Sequence, residues 1–118
     1  MKVFSISLAL GLLLSAPGAH AANVATVSID RFMFAPMEIT IAPGDTVAWV
    51  NRDQTPHTVA ARDHGFASKA LDTDDRYERK FTSEGDFSYV CSLHPFMVGI
   101  VHVHSRSQSS HAPAARGD

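Results

Sequence analysis

The sequence predicts an all-β fold, an antiparallel β-sandwich of the Greek-key kind. Three observations carry that expectation. Short runs from Val24 onward alternate apolar and polar residues, turn residues separate them at short intervals, and no apolar stretch sustains helical periodicity. Such a series of short strands buries its apolar faces by stacking two sheets, not by building a helical or α/β domain.

The first run, Val24 to Asp30, sets Val24, Thr26 and Ser28 on one face and Ala25, Val27 and Ile29 on the other. Met37 to Ile41 follows and stops at Ala42-Pro43-Gly44-Asp45, where proline fixes φ and glycine accepts a positive φ. Asp45 to Asn51 places Val47 and Trp49 on one face, the pattern of a half-buried strand. Pro56 to Ala60 is a further β run headed by His57, and the polar, glycine-bearing stretch Arg62 to Asp75 reads as a loop pinned by Phe66 and Leu71. Alternation resumes through Tyr77, Arg79 and Phe81, and Ser83-Glu84-Gly85-Asp86 turns the chain. Phe87, Tyr89 and Cys91 then share a face, so Cys91 is expected to point with the aromatics. Gly99 to His104 makes the last strand.

The two ends differ from this core. Residues 1–21 begin with Lys2, continue through the apolar stretch Val3 to Leu14 and close on Ala19-His20-Ala21, the pattern of a cleaved secretory signal and too short an apolar run for a membrane span. Export to a periplasmic compartment is therefore expected, with one domain over residues 22–104. Residues 105–118, rich in serine, alanine and glycine, have too little apolar bulk to order and are expected to form a flexible tail. Ten Lys and Arg against 12 Asp and Glu leave a net charge of −2 with no basic run, which argues against a nucleic-acid partner. A single cysteine excludes a disulfide framework, and a spare thiol in an oxidising compartment calls for something to protect it.

The chemistry concentrates in Cys91-Ser92-Leu93-His94-Pro95-Phe96-Met97, which presents a thiol, an imidazole and a thioether at three-residue intervals just after a strand. A tight loop so spaced can turn all three side chains onto one metal ion. His57, stiffened by Pro56, is the natural fourth donor from a neighbouring strand. Soft thiolate and thioether with borderline imidazole select copper, and a His₂Cys set with a weak axial Met is the electron-transfer copper arrangement. Structural zinc asks for more Cys or His, and an iron-sulfur cluster for about four thiolates. Taken singly, Cys91 or Met97 would be an ordinary core residue; their joint occurrence at fixed spacing with a distant Pro-His in an all-β chain favours a metal centre. His64 reads as a solvated loop residue. His102 and His104 share a strand face, with His111 beyond, and read as outer-face residues although they could form an auxiliary metal site.

These residues resemble the small blue-copper cupredoxins, and among them the amicyanin and plastocyanin-like proteins. The likeness runs through Phe34-Ala35-Pro36, Pro43-Gly44-Asp45-Thr46-Val47, Trp49-Val50-Asn51, Pro56-His57 and Phe81 to Tyr89, and is most specific in Cys91 to Met97 followed by Gly99. The resemblance implies a cupredoxin fold and one copper ion cycling between Cu(I) and Cu(II), held by His57, Cys91, His94 and Met97. It further implies a sheltered His57 and a surface-reaching His94, with electrons passing through an apolar patch around His94, Pro95 and Phe96 to a redox donor and acceptor. Thr58 departs from the asparagine common in the family, whose side chain ties the first ligand strand to the residue after the cysteine, here Ser92. The expected function is that of a monomeric, soluble, non-enzymatic one-electron carrier. A periplasmic copper chaperone or resistance protein is the alternative, and a partner-binding module of a larger oxidase is a third.

Overall fold

The computed structural model describes residues 21–106 together with Lys2, Val3 and Gly11. The expected export signal and most of the expected tail, including His111, lie outside the described residues. Among the described residues eight strands follow one another: β1 (Val24–Asp30), β2 (Met33–Ala35), β3 (Glu38–Ile41), β4 (Thr46–Asn51), β5 (Ala60–Ala61), β6 (Arg76–Lys80), β7 (Gly85–Val90) and β8 (Val98–Val103). They form two four-stranded sheets in the orders β2-β1-β4-β6 and β3-β8-β7-β5.

The alternation seen in the sequence determines which side chains the sheets bury. Val27 and Ile29 of β1, Val47 and Trp49 of β4 and Phe34 of β2 face Ile41, Tyr89, Val101 and Val103 from the other sheet in one core. Tyr89 joins the layers, its ring 4.7 Å from that of Phe34 and 5.3 Å from that of Trp49, edge-on to both. Aromatic pairs so arranged gain about 0.5–1.5 kcal/mol beyond their buried area. Phe66 and Leu71 are buried, as expected of the residues pinning the long loop.

Three expectations need correction. Both sheets are mixed rather than antiparallel: β1 runs parallel to β4, and β3 parallel to β8. Between β1 and β4 the chain visits the opposite sheet as β3, and a crossover of that length lets β4 enter beside β1 in the same direction. β4 is buried on both faces from Val47 to Asn51 rather than on one, because it is central and its outward residues Ala48 and Val50 are small and stand opposite Glu78 and Arg76, which pair with each other. His57 does not head a strand. It makes an isolated bridge with Leu71, and β5 begins only at Ala60.

The hairpin between β1 and β2 lacks the usual turn residues. Arg31 and Phe32 form its two-residue loop with φ of 51° and 57°. Tight hairpins need that left-handed pair, normally supplied by Asn-Gly or Asp-Gly. Here the Asp53 carboxylate does the work from outside: Oδ1 accepts the Arg31 N–H at 2.7 Å and Oδ2 the Phe32 N–H at 3.0 Å.

Candidate metal centre

Cys91, His94 and Met97 sit on a loop between β7 and β8 that is built of two consecutive turns. The His94 N–H donates to the Cys91 carbonyl at 3.2 Å and the Met97 N–H to the His94 carbonyl at 2.9 Å, while the Cys91 N–H closes the loop on the Met97 carbonyl at 3.1 Å. Each turn closes between residues three apart in sequence, so the three-residue spacing of the donors is the spacing of the turn ends. Cys91 and Met97 are buried, and His94 between them is partly exposed.

His57 arrives from the other side. Its backbone N–H and carbonyl both pair with Leu71, and the preceding segment is held by Asn51, a fully buried residue whose side-chain NH₂ donates to the carbonyls of Thr55 and Leu71 and whose oxygen accepts the Asp53 N–H. The His57 ring is completely buried. Its Nδ1 lies 3.8 Å from Cys91 Sγ, and His94 Nδ1 lies 3.7 Å from the same sulfur. One donor atom from each of the three residues falls within 4.8 Å of the others.

The His57 tautomer follows from its partner. Nε2 is 2.7 Å from Asp53 Oδ2, and a carboxylate only accepts, so in the neutral ring Nε2 carries the hydrogen and Nδ1 presents its lone pair toward Cys91. Burial raises the Asp53 pKa, but the N–H groups of Phe32 and Arg31 and the His57 ring outweigh it and hold the carboxyl below its usual range. For Cys91, too, burial opposes ionisation. The Thr58 N–H at 3.3 Å and the two imidazoles override that and bring the thiol from 9.0 to about 6, so a thiolate is accessible near neutral pH.

Thr58 makes the tie to Ser92 that the sequence led us to expect of an asparagine at this position. Its Oγ1 accepts the Ser92 N–H at 2.7 Å and lies 2.7 Å from Ser92 Oγ, joining the His57 segment to the residue after Cys91.

Two residues near the site were missed in the sequence reading. Asp53 could have been found as a carboxylate four residues before the histidine. Phe32 carries no sequence signal, yet its ring is edge-on to His57 at 5.2 Å and to His94 at 5.1 Å. Around His94 the surface is apolar: Leu93, Phe96, Phe32, Met33 and Met37 are all exposed, Phe96 to 71%.

A family model described as copper binding proteins of the plastocyanin/azurin family matches residues 21–104. The chain belongs to that family. Among relatives, amicyanin from Paracoccus versutus is 34% identical over 85 residues, covering 68% of this chain and 64% of the relative, so the chain spans slightly under two thirds of that protein's length. Among solved structures, a purple cupredoxin from Nitrosopumilus maritimus superposes with a TM-score of 0.65 at 34% identity, covering 68% of this chain and 99% of that one. A copper-containing nitrite reductase from Thermus scotoductus SA-01 gives the same TM-score at 31% identity, over 69% of this chain but only 22% of the enzyme. The cofactor of this cupredoxin is copper, and the donor set fits it: a thiolate-prone sulfur and two imidazole nitrogens converge in a buried position.

Proposed function

We propose that this cupredoxin is an exported one-electron carrier whose copper is of the type 1 class, held by Cys91, His57 and His94 with Met97 as the weak axial donor. The observation that carries the reading is the convergence of both Nδ1 atoms on Cys91 Sγ. Copper bound there supplies a reversible one-electron couple. The chain supplies the rest. His57 is fixed by Asp53 and Leu71, the loop donors by their turns, and the two halves by the Thr58–Ser92 tie, so the donors have little room to rearrange when the charge of the site changes.

His94 is the exit to the surface. His57 is shut away, whereas His94 is partly exposed and ringed by Leu93, Pro95 and Phe96. A small apolar rim of this kind suits brief docking to a redox donor and acceptor, at the low end of interface sizes. Export through a signal at residues 1–21 to the periplasm agrees with the single protected thiol, and among the described residues no helix is long and apolar enough to cross a membrane. The likeness to amicyanin supports a carrier rather than an enzyme.

The visible spectrum of the copper-loaded protein tests this. An intense thiolate-to-copper band that bleaches on reduction and returns on oxidation is expected, and its loss in Cys91→Ser. A colourless Cu(II) adduct would overturn the carrier reading and favour copper handling.

A further inference from the structure

The outer face of the second sheet carries a cluster that plays no part in the loop site. Asp86 of β7 and His102 of β8 are directly paired across the strands, His104 lies two residues further along the same face, and Glu38 of β3 stands diagonally to His102. Asp86 Oδ1 is 2.6 Å from His102 Nδ1 and 3.5 Å from His104 Nε2. The two imidazoles stack with centroids 6.1 Å apart and planes 14° from parallel. One donor atom each from Asp86, His102 and His104 falls within 4.8 Å of the others.

A surface ion pair needs one cation and one carboxylate. Here two imidazoles face a single carboxylate oxygen, and a second carboxylate occupies the far side of the first ring: His102 Nε2 is 3.1 Å from Glu38 Oε1. An imidazole that gives its outer N–H to a carboxylate while its other nitrogen faces further donors has the orientation of a metal-ligating histidine. The positions are set by strand register, not by a mobile loop. We propose that Asp86, His102 and His104 form a second metal site that takes a divalent first-row transition ion, with Glu38 orienting His102.

The donors choose the class of ion. Two nitrogens and a carboxylate oxygen without thiolate suit Cu(II), Ni(II) or Zn(II), with Cu(II) held most tightly. Without metal, hydrogen bonds to Asp86 and Glu38 raise the His102 pKa, and the bond to His102 lowers that of Asp86. The entering ion therefore displaces the His102 Nδ1 proton to solvent and sets a double positive charge where a single one stood. Partial exposure of both histidines leaves room for water to complete the coordination. Four residues of β7, Phe87 to Val90, lie between Asp86 and Cys91, and the five steps make about 16 Å of strand, so the two sites share no donor.

The test is a titration of the full, copper-loaded protein with Cu(II) against a weak competing chelator, followed by electron paramagnetic resonance. One further equivalent is expected, with the wide hyperfine splitting of a tetragonal nitrogen-oxygen site. In His102→Gln/His104→Gln and in Asp86→Asn its affinity should fall at least tenfold while the first site's visible band is unchanged. Absence of a second equivalent in the natural protein would overturn the proposal, as would a second equivalent of undiminished affinity in the double histidine variant. Zn(II) titration read by calorimetry on the same three proteins should give the same ranking. This outcome does not depend on the electronic class of the copper at Cys91.

Discussion

Asp53 and His57 are joined by a 2.7 Å contact between Oδ2 and Nε2, and the same carboxylate holds the Arg31–Phe32 turn from outside. One side chain thus fixes both the buried imidazole and the hairpin that places Phe32 against it. Removing an outer-shell carboxylate of this kind typically lowers metal affinity about 10–100-fold. Asp53→Ala should show that loss in chelator competition, and Asp53→Asn a smaller one, because the amide oxygen can still accept. An unchanged affinity in Asp53→Ala would mean that His57 is positioned by its backbone alone.

The left-handed turn gives a second prediction. Arg31 is a non-glycine residue with φ of 51°, at a position where asparagine is far better tolerated, and its side chain is exposed. Arg31→Asn should raise stability by up to about 1 kcal/mol, read as a higher urea midpoint at unchanged slope. A lower midpoint would show that the arginine contributes more than its backbone strain costs.

Gly99 lies directly opposite Tyr89 in the β7–β8 ladder, and a Cβ placed there would meet the tyrosine Cζ at 2.3 Å and its hydroxyl at 2.4 Å. The ring cannot swing away, because it is fully buried between Phe34 and Trp49. Gly99→Ala should cost about 1–3 kcal/mol, the usual range for overpacking a core, measured by chemical denaturation. Gly99→Ala combined with Tyr89→Phe should recover part of that loss by removing the hydroxyl contact.

Thr58 can be separated from general packing by its isostere. Thr58→Val keeps the shape but leaves the Ser92 N–H without its 2.7 Å acceptor, at a cost of about 1–2 kcal/mol. It should also shift the reduction potential, since the Thr58 backbone N–H bonds to Cys91 Sγ and the tie holds that geometry. Thr58→Ser should restore both. A potential unmoved in Thr58→Val would show the tie to be dispensable.

Copper itself should stabilise the fold. His57 and Cys91 are buried, and their donor atoms converge only in the folded chain. Metal present at about 1,000 times its dissociation constant adds about 4 kcal/mol, so the copper-free protein should melt several degrees lower by calorimetry. Equal melting temperatures would mean that copper binds the unfolded chain as well as the folded one.

Features settled within a few residues were legible in the amino-acid order. Alternation in β1 and β7 placed Val27, Ile29, Tyr89 and Cys91 inward, and the spacing of Cys91, His94 and Met97 anticipated turns whose hydrogen bonds close over three residues. Features that depend on partners far apart in the chain emerged with the folded molecule. His57 reaches a sulfur 34 residues away, Asp53 secures a turn 21 residues before it, β4 runs parallel to β1, and His102 meets Asp86 through cross-strand register. The reason is physical. Turn and pleat geometry follow from local dihedrals, whereas strand direction and register follow from how two whole sheets bury their faces together, which no short window of residues contains.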